Sequence, residues 1–132
     1  GILLETSGDI LAIGIGVNLV AAPDPGSIEP GAVRPVSVKG ETGLTITPDE
    51  FLDALAVGFD HWARQMRDYG FAPIRTAWLA RAARLGETIT ARTGTTETEG
   101  RFDGIDETGA LILTTARGRQ AIPAADIFFS GA

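Results

Sequence analysis

The sequence predicts an α+β chain, a mixed sheet with packed helices followed by a small β-module, and three observations carry that expectation. Two short apolar runs, over residues 2–4 and 10–19, open the chain and are separated by the turn-forming Thr6-Ser7-Gly8-Asp9. Large apolar residues then recur at helical spacing downstream of Pro48. After Gly86 the pattern breaks into short β-type runs divided by glycine-bearing turns.

The first two runs read as a hairpin. In the second, Ile13-Gly14-Ile15-Gly16-Val17-Asn18 places two glycines two residues apart, hence on one face of a strand. Glycine has no side chain to pack and weakens a strand, so such a pair suggests that something sits directly on the backbone. Residue 19 is Leu and no helix opens directly after the glycines, which excludes a dinucleotide-binding fingerprint. Residues 20–40 hold Pro23, Pro25, Pro30 and Pro35 with Gly26, Gly31 and Gly40 and read as a surface loop, most simply a plain connector, with an excursion beside a ligand or local disorder as the alternatives its length allows.

Thr47-Pro48-Asp49-Glu50 is a complete helix start, with Thr47 as N-cap, Pro48 at the first helical position and Glu50 closing a capping box. The helix is expected to run to about Tyr69, with Phe51, Leu52, Leu55, Phe59, Trp62, Met66 and Tyr69 as a core stripe. Gly70 ends it. A second helix is expected over about 72–84, opened by Pro73, with Ile74, Trp78 and Leu79 inward and Arg75, Arg81 and Arg84 outward.

Strands are then expected over 88–93, 96–105, 110–115, 120–122 and 127–129. So many short strands in so little chain suggest a partly open SH3-like β-barrel rather than a sandwich. The domain division is expected at residues 84–86, giving units 1–84 and 85–132.

Composition narrows the function. With 132 residues and 44% hydrophobic content, the chain can bury a core. A formal charge of −6 argues against nucleic acid as a partner. No apolar stretch approaches the roughly 20 residues of a membrane span, and a cytoplasmic location is the default. The absence of cysteine and the single His61 exclude thiolate sites and histidine clusters, so no metal site is expected. His61 reads as a surface residue, Glu5 as a solvated strand end, and Asp103 and Asp106 as turn chemistry. The first basic residue is Arg34 and the only lysine is Lys39. An anionic ligand on the first two strands would therefore need its positive charge from elsewhere.

The segment Gly1-Ile2-Leu3-Leu4-Glu5, followed by the strand ending Gly14-Ile15-Gly16-Val17-Asn18, resembles the biotin–protein ligase family, whose G-I-L-x-E strand precedes one ending G-x-G-[IV]-N. Trp78, Leu85-Gly86, Gly100, Phe102-Asp103-Gly104-Ile105-Asp106, Gly109-Ala110-Leu111 and Ala125-Asp126-Ile127 are similar to the small C-terminal domain of that family. The resemblance implies the second half of a class II synthetase-like ligase domain followed by the small barrel. It also implies that the backbones of Gly1, Ile2, Leu3, Gly14 and Ile15 line a biotin pocket while Asn18 faces the nucleotide. None of these is an acid, base or nucleophile, so no catalytic residue is assigned.

The resemblance further implies biotin and ATP with Mg²⁺ in the complete protein, a biotin carboxyl-carrier domain as acceptor, and room for a homodimer. The family's arginine- and glycine-rich loop and its lysine before the G-I-L-x-E strand have no counterpart here. Ala116-Arg117-Gly118-Arg119-Gln120 imitates that loop but reads as a hairpin turn. The expected role is a pocket wall of a biotin ligase. The alternatives are a lipoate-ligase-like relative or a non-catalytic interaction module.

Overall fold

A computed structural model describes residues 1–27, 34–94, 96–123 and, by their main chain, 126–128. The chain forms two compact units. One holds strands β1 (Ile2–Ser7) and β2 (Ile10–Ile15), a short 3-10 turn at Pro25–Ser27, helix α1 (Val38–Thr42) and the first turns of α2 (Pro48–Tyr69) through Ala54. The other holds α2 from Leu55 onward, α3 (Phe71–Leu79) and strands β3 (Thr88–Thr93), β4 (Thr96–Ile105), β5 (Leu111–Thr115), β6 (Gly118–Ile122) and β7 (Asp126–Phe128).

In the first unit β1 and β2 form an antiparallel hairpin with register Ile2↔Ile15, Leu3↔Gly14, Leu4↔Ile13 and on to Ser7↔Ile10. Strand β2 is shorter than the expected run: Gly16 still pairs with Gly1, but Asn18 and Leu19 bond instead to residues 38 and 39, in a stretch expected to be loop. That segment is α1. Ser37 caps it by accepting the Gly40 N–H at 3.1 Å, and Gly43, at φ 74°, ends it with its N–H on the Lys39 carbonyl at 2.9 Å. The expected loop residues 28–33 lie outside the described residues.

The start of α2 is chemically complete. Glu50 Oε2 accepts the Thr47 N–H at 2.8 Å, and Thr47 Oγ1 accepts the Glu50 N–H at 3.2 Å. The Thr47 N–H first, and then the Thr47 hydroxyl, which donates to the same Oε2 at 2.8 Å, hold the Glu50 carboxyl below its ordinary value. The aromatic and aliphatic stripe is not buried within this chain, as Leu52, Phe59, Met66 and Tyr69 remain exposed. The expectation that this stripe is core is therefore not met among the described residues.

In the second unit the strands form one antiparallel sheet in the order β6-β5-β4-β3-β7. The expectation of an SH3-like barrel is met only in the strands and their hairpins. Among the described residues no pairing joins β6 to β7, so the sheet stays open. The predicted end of the last strand, Phe129, lies outside them. Ile89, Ala91, Phe102 and Leu113 are buried together, and each large aliphatic or aromatic side chain among them stabilises the fold by roughly 1.5–3 kcal/mol.

Between Phe102 and Gly104 the β4–β5 register shifts at a bulge. Gly104 takes φ 133°, a conformation side chains rarely adopt, and a Cβ there would lie 3.2 Å from Leu79 of α3. Helix α3 is therefore seated on the bulged part of β4. Arg75 Nε donates to the Ile105 carbonyl at 2.7 Å, and Trp78 meets Phe102 edge to face with centroids 6.1 Å apart. Trp78 nonetheless remains 46% exposed, less buried than the core position the sequence suggests. Helix α3 is also shorter than expected, and the chain turns through Arg84 at φ 62° before entering the sheet.

Candidate functional site

Cross-strand pairing gives the hairpin two unlike faces. Directly opposed residues share a face, so Ile2, Leu4 and Thr6 lie with Ile15, Ile13 and Leu11 on one side. The other side carries Leu3, Glu5 and Ser7 with Gly14, Ala12 and Ile10. Gly1 and Gly16 extend the ladder, the Gly1 amino group donating to the Gly16 carbonyl at 2.7 Å and the Gly16 N–H to the Gly1 carbonyl at 2.8 Å. At this end the second face is bare backbone apart from Leu3.

Neither Gly14 nor Gly16 is required by this chain itself. Both lie outside the left-handed region, and a Cβ would meet nothing closer than 3.8 Å at Gly14 or 3.7 Å at Gly16. Their effect is to leave the face open. Gly1, Ile2 and Leu3 are thus brought opposite Gly16, Ile15 and Gly14, so the expected pocket residues form one contiguous patch.

Asn18 lies past the end of the ladder. Its Nδ2 donates to the Val36 carbonyl at 3.0 Å, its own carbonyl accepts the Val38 N–H at 2.9 Å, and the Leu19 carbonyl accepts the Lys39 N–H at 2.9 Å. Ser37 Oγ, which is buried, donates to the Val20 carbonyl at 3.2 Å. These bonds lay residues 36–39 alongside 18–20. Asn18 is accordingly a tether whose amide donor is engaged, with the side chain at the surface. Sequence reasoning missed this juxtaposition; the one available signal was Ser37 three residues before Gly40, a short cap hidden among prolines and glycines.

The C-terminal unit carries two further concavities. An apolar cleft of about 430 Å³ is lined by Trp62, Ile74, Ala77, Trp78 and Arg81. A polar one of about 370 Å³ is lined by Arg75, Asp106, Glu107, Thr108 and Arg119. Asp106 is held below the ordinary carboxyl range, first by the Thr108 hydroxyl and then by the Thr108 N–H, and its Oδ1 also accepts the Ala110 N–H. Asp103 is likewise lowered, chiefly by the hydroxyl of Thr114 across the strands, with Arg101 adding to it. Asp106 is the turn residue the sequence suggested, whereas Asp103 belongs to the bulge. His61 is exposed and meets Trp62 with the rings nearly perpendicular, and Glu5 is exposed. Among the described residues no three acidic, imidazole or thiol groups gather to hold a metal, and no helix is long and apolar enough to cross a membrane.

Residues 85–130 match the biotin protein ligase C-terminal domain. The chain is 62% identical over 136 residues to a biotin–[acetyl-CoA-carboxylase] ligase of Paracoccus denitrificans, covering 99% of this chain and 57% of that protein. It is 30% identical over 134 residues to the bifunctional ligase/repressor BirA of Bacillus subtilis, covering 96% of this chain and 40% of that protein. The fold matches the crystal structure of biotin protein ligase from Aquifex aeolicus with a TM-score of 0.86 at 23% identity, covering 98% of this chain and 58% of that one. The same Aquifex protein in complex with biotin and ATP matches with a TM-score of 0.81 at 23% identity, covering 96% of this chain and 53% of that one. The chain thus spans about half the length of the relatives it matches. Over nearly its whole length the chain is similar to the C-terminal region of biotin protein ligases, and its residues 85–130 match that family's C-terminal domain.

Proposed function

We propose that this chain is the C-terminal part of an ATP-dependent biotin protein ligase and supplies the backbone floor on which biotin and its adenylate lie. The observation that carries the reading is the bare face at Gly1–Gly16 and Leu3–Gly14, where glycine is kept although neither backbone conformation nor neighbouring atoms demand it. The Aquifex relative in complex with biotin and ATP supports both substrates. In the reaction a biotin carboxylate oxygen attacks the α-phosphorus of ATP and pyrophosphate leaves. A lysine amine of a carrier domain then attacks the acyl carbon, forming an amide and releasing AMP.

The chain's own part is to position. Gly1, Ile2, Leu3, Gly14 and Ile15 present main chain to biotin, and Asn18 fixes the strand end beside the nucleotide. Mg²⁺ would arrive with the nucleotide's phosphates, and no residue of this chain is assigned to it. The sheet of β3–β7 is read as the family's small SH3-like domain, with 1–84 and 85–132 as the two domains. A carboxyl-carrier acceptor and a cytoplasmic setting accompany the reading.

The test is biotin-dependent ATP–pyrophosphate exchange in a protein joining this chain to the N-terminal region its relatives possess. Gly14→Val should raise the KM for biotin by roughly tenfold or more through contact with the ligand, while the melting temperature stays close to wild type. Lipoate-dependent exchange without biotin dependence would reassign the substrate. No exchange, with no calorimetric binding of either acid, would return the chain to a non-catalytic module.

A further inference from the structure

The charge map leaves a question that the fold answers. Both acyl-adenylate formation and its reverse pass through charge on phosphate oxygens, which positive groups aimed at them stabilise. Strands β1 and β2 carry no cation. In the first unit the described basic residues are Arg34 and Lys39, against Glu5, Asp9, Asp24, Glu41, Asp49, Glu50 and Asp53. An anionic ligand near Asn18 would meet a mostly acidic unit unless one of those two cations reached it.

The main-chain bonds favour Lys39. Its own N–H is fixed to the carbonyl of Leu19, the residue after Asn18, and the preceding N–H of Val38 is fixed to the carbonyl of Asn18 itself. The α1 cap on Ser37 and the Ser37–Val20 bond hold the same segment from the other side. Lys39 is exposed, and among the described residues it has no ion pair. A flexible four-carbon stem rooted beside Asn18 can carry its ammonium over the end of β2. Arg34 has no comparable anchor on β2.

We infer that Lys39, laid against the end of β2 by its bond to Leu19, contacts the phosphates of the bound nucleotide. The inference rests on the ligase reading above. It supplies that reading with a cation from within this chain, separate from any contributed by the rest of a longer protein.

The experiment uses the same extended protein and measures ATP–pyrophosphate exchange with Lys39→Met, Lys39→Arg and Arg34→Met. Lys39→Met should raise the KM for ATP roughly tenfold, as expected for loss of one charge-assisted contact, with the KM for biotin and the melting temperature unchanged. Its KM for ATP should also depend less on salt, and Lys39→Arg should recover most of the loss. A merely structural role for Lys39 would move stability or both KM values together and would overturn the inference. So would a KM for ATP within twofold of wild type, or an effect produced by Arg34→Met instead. If the wild-type protein shows no biotin-dependent exchange, the ligase reading falls and this inference falls with it. Normal exchange in wild type and in Lys39→Met removes Lys39 alone.

Discussion

The hairpin β1–β2 and the sheet β3–β7 are both antiparallel and both rich in aliphatic side chains, yet only the sheet has a core. Leu113 is 0% and Ile89 2% exposed, whereas Ile2 is 72% and Leu4 61% exposed. A two-stranded hairpin cannot cover both of its faces, while five strands with a helix seated on one end can close over a shared interior. The sheet therefore specifies itself. The hairpin specifies a surface, aliphatic on one side and on the other, at its glycine end, bare backbone apart from Leu3, whose cover on the ligase reading belongs to the rest of a longer protein. The buried side chains accordingly sit in the sheet, and the open backbone on which the proposed function rests sits on the hairpin.

The largest expected break in that contrast comes from truncating one aliphatic residue on each side. Leu113→Ala leaves a cavity in a closed core and should cost about 2–5 kcal/mol. Leu4→Ala removes an exposed side chain and should change stability by no more than about 0.5 kcal/mol. Urea unfolding of the 132-residue chain, followed by the fluorescence of Trp62 and Trp78 for the C-terminal unit and by hydrogen exchange of the β1–β2 amides for the hairpin, reads both sides. Equal costs for the two variants would show that the hairpin is as well packed as the sheet.

A glycine on each side sharpens the same point at smaller scale. A Cβ on Gly100 would lie 2.9 Å from the Thr114 carbonyl, 3.0 Å from Thr115 Cγ2 and 3.1 Å from Leu113 Cβ. The first of these is main chain of the neighbouring strand and cannot swing aside, so Gly100→Ala should cost about 1–3 kcal/mol through strand displacement. Gly14→Ala meets only ordinary contacts and should leave the unfolding midpoint near wild type. The fold leaves no room for a Cβ at Gly100 and leaves room for one at Gly14.

What was legible in the sequence follows this division. The Thr47–Glu50 capping box, β3, β4 and the turn at Asp106 rest on neighbours in sequence, and the structure reproduces them from those local rules. Helix α1 was missed because prolines and glycines on either side hide a short helix whose stability comes from bonds to residues 18–20, remote in sequence. The bulge at Gly104 was equally hidden, since only the approach of Leu79 and the β5 register make it visible. The stripe on α2 has the spacing of a core face, yet Leu52, Phe59, Trp62, Met66 and Tyr69 stay exposed, because helical periodicity reports which residues share a face and not what covers it. Gly14 and Gly16 were legible as unusual strand residues, but whether a neighbouring atom explained them was a question only the geometry could answer.

The smallest expected effect concerns acid. Asp103 and Asp106 on the sheet, and Glu50 at the start of α2, all have folded-state carboxyls held below their ordinary values by hydrogen bonds. Above pH of about 4 to 5 the unfolded chain has lost the same protons, so the contribution is fully present and flat with pH. As pH falls through about 4 the unfolded state takes up protons while the folded one does not. Stability declines until the pH passes the lowered folded values. All three groups are solvent-accessible, so the decline is modest and shallower in high salt. Two of the three lie on the sheet, and the sheet should therefore lose amide protection on acidification more steeply than the hairpin. Asp106→Asn keeps an Oδ1 that can accept from the Thr108 and Ala110 N–H groups but removes the titrating proton. Hydrogen exchange between pH 5 and pH 3, referred to the intrinsic rate at each pH, should show this variant less acid-sensitive around the 106–110 turn than wild type. An unchanged acid response in that turn would mean that its hydrogen bonds bias Asp106 equally in the unfolded chain.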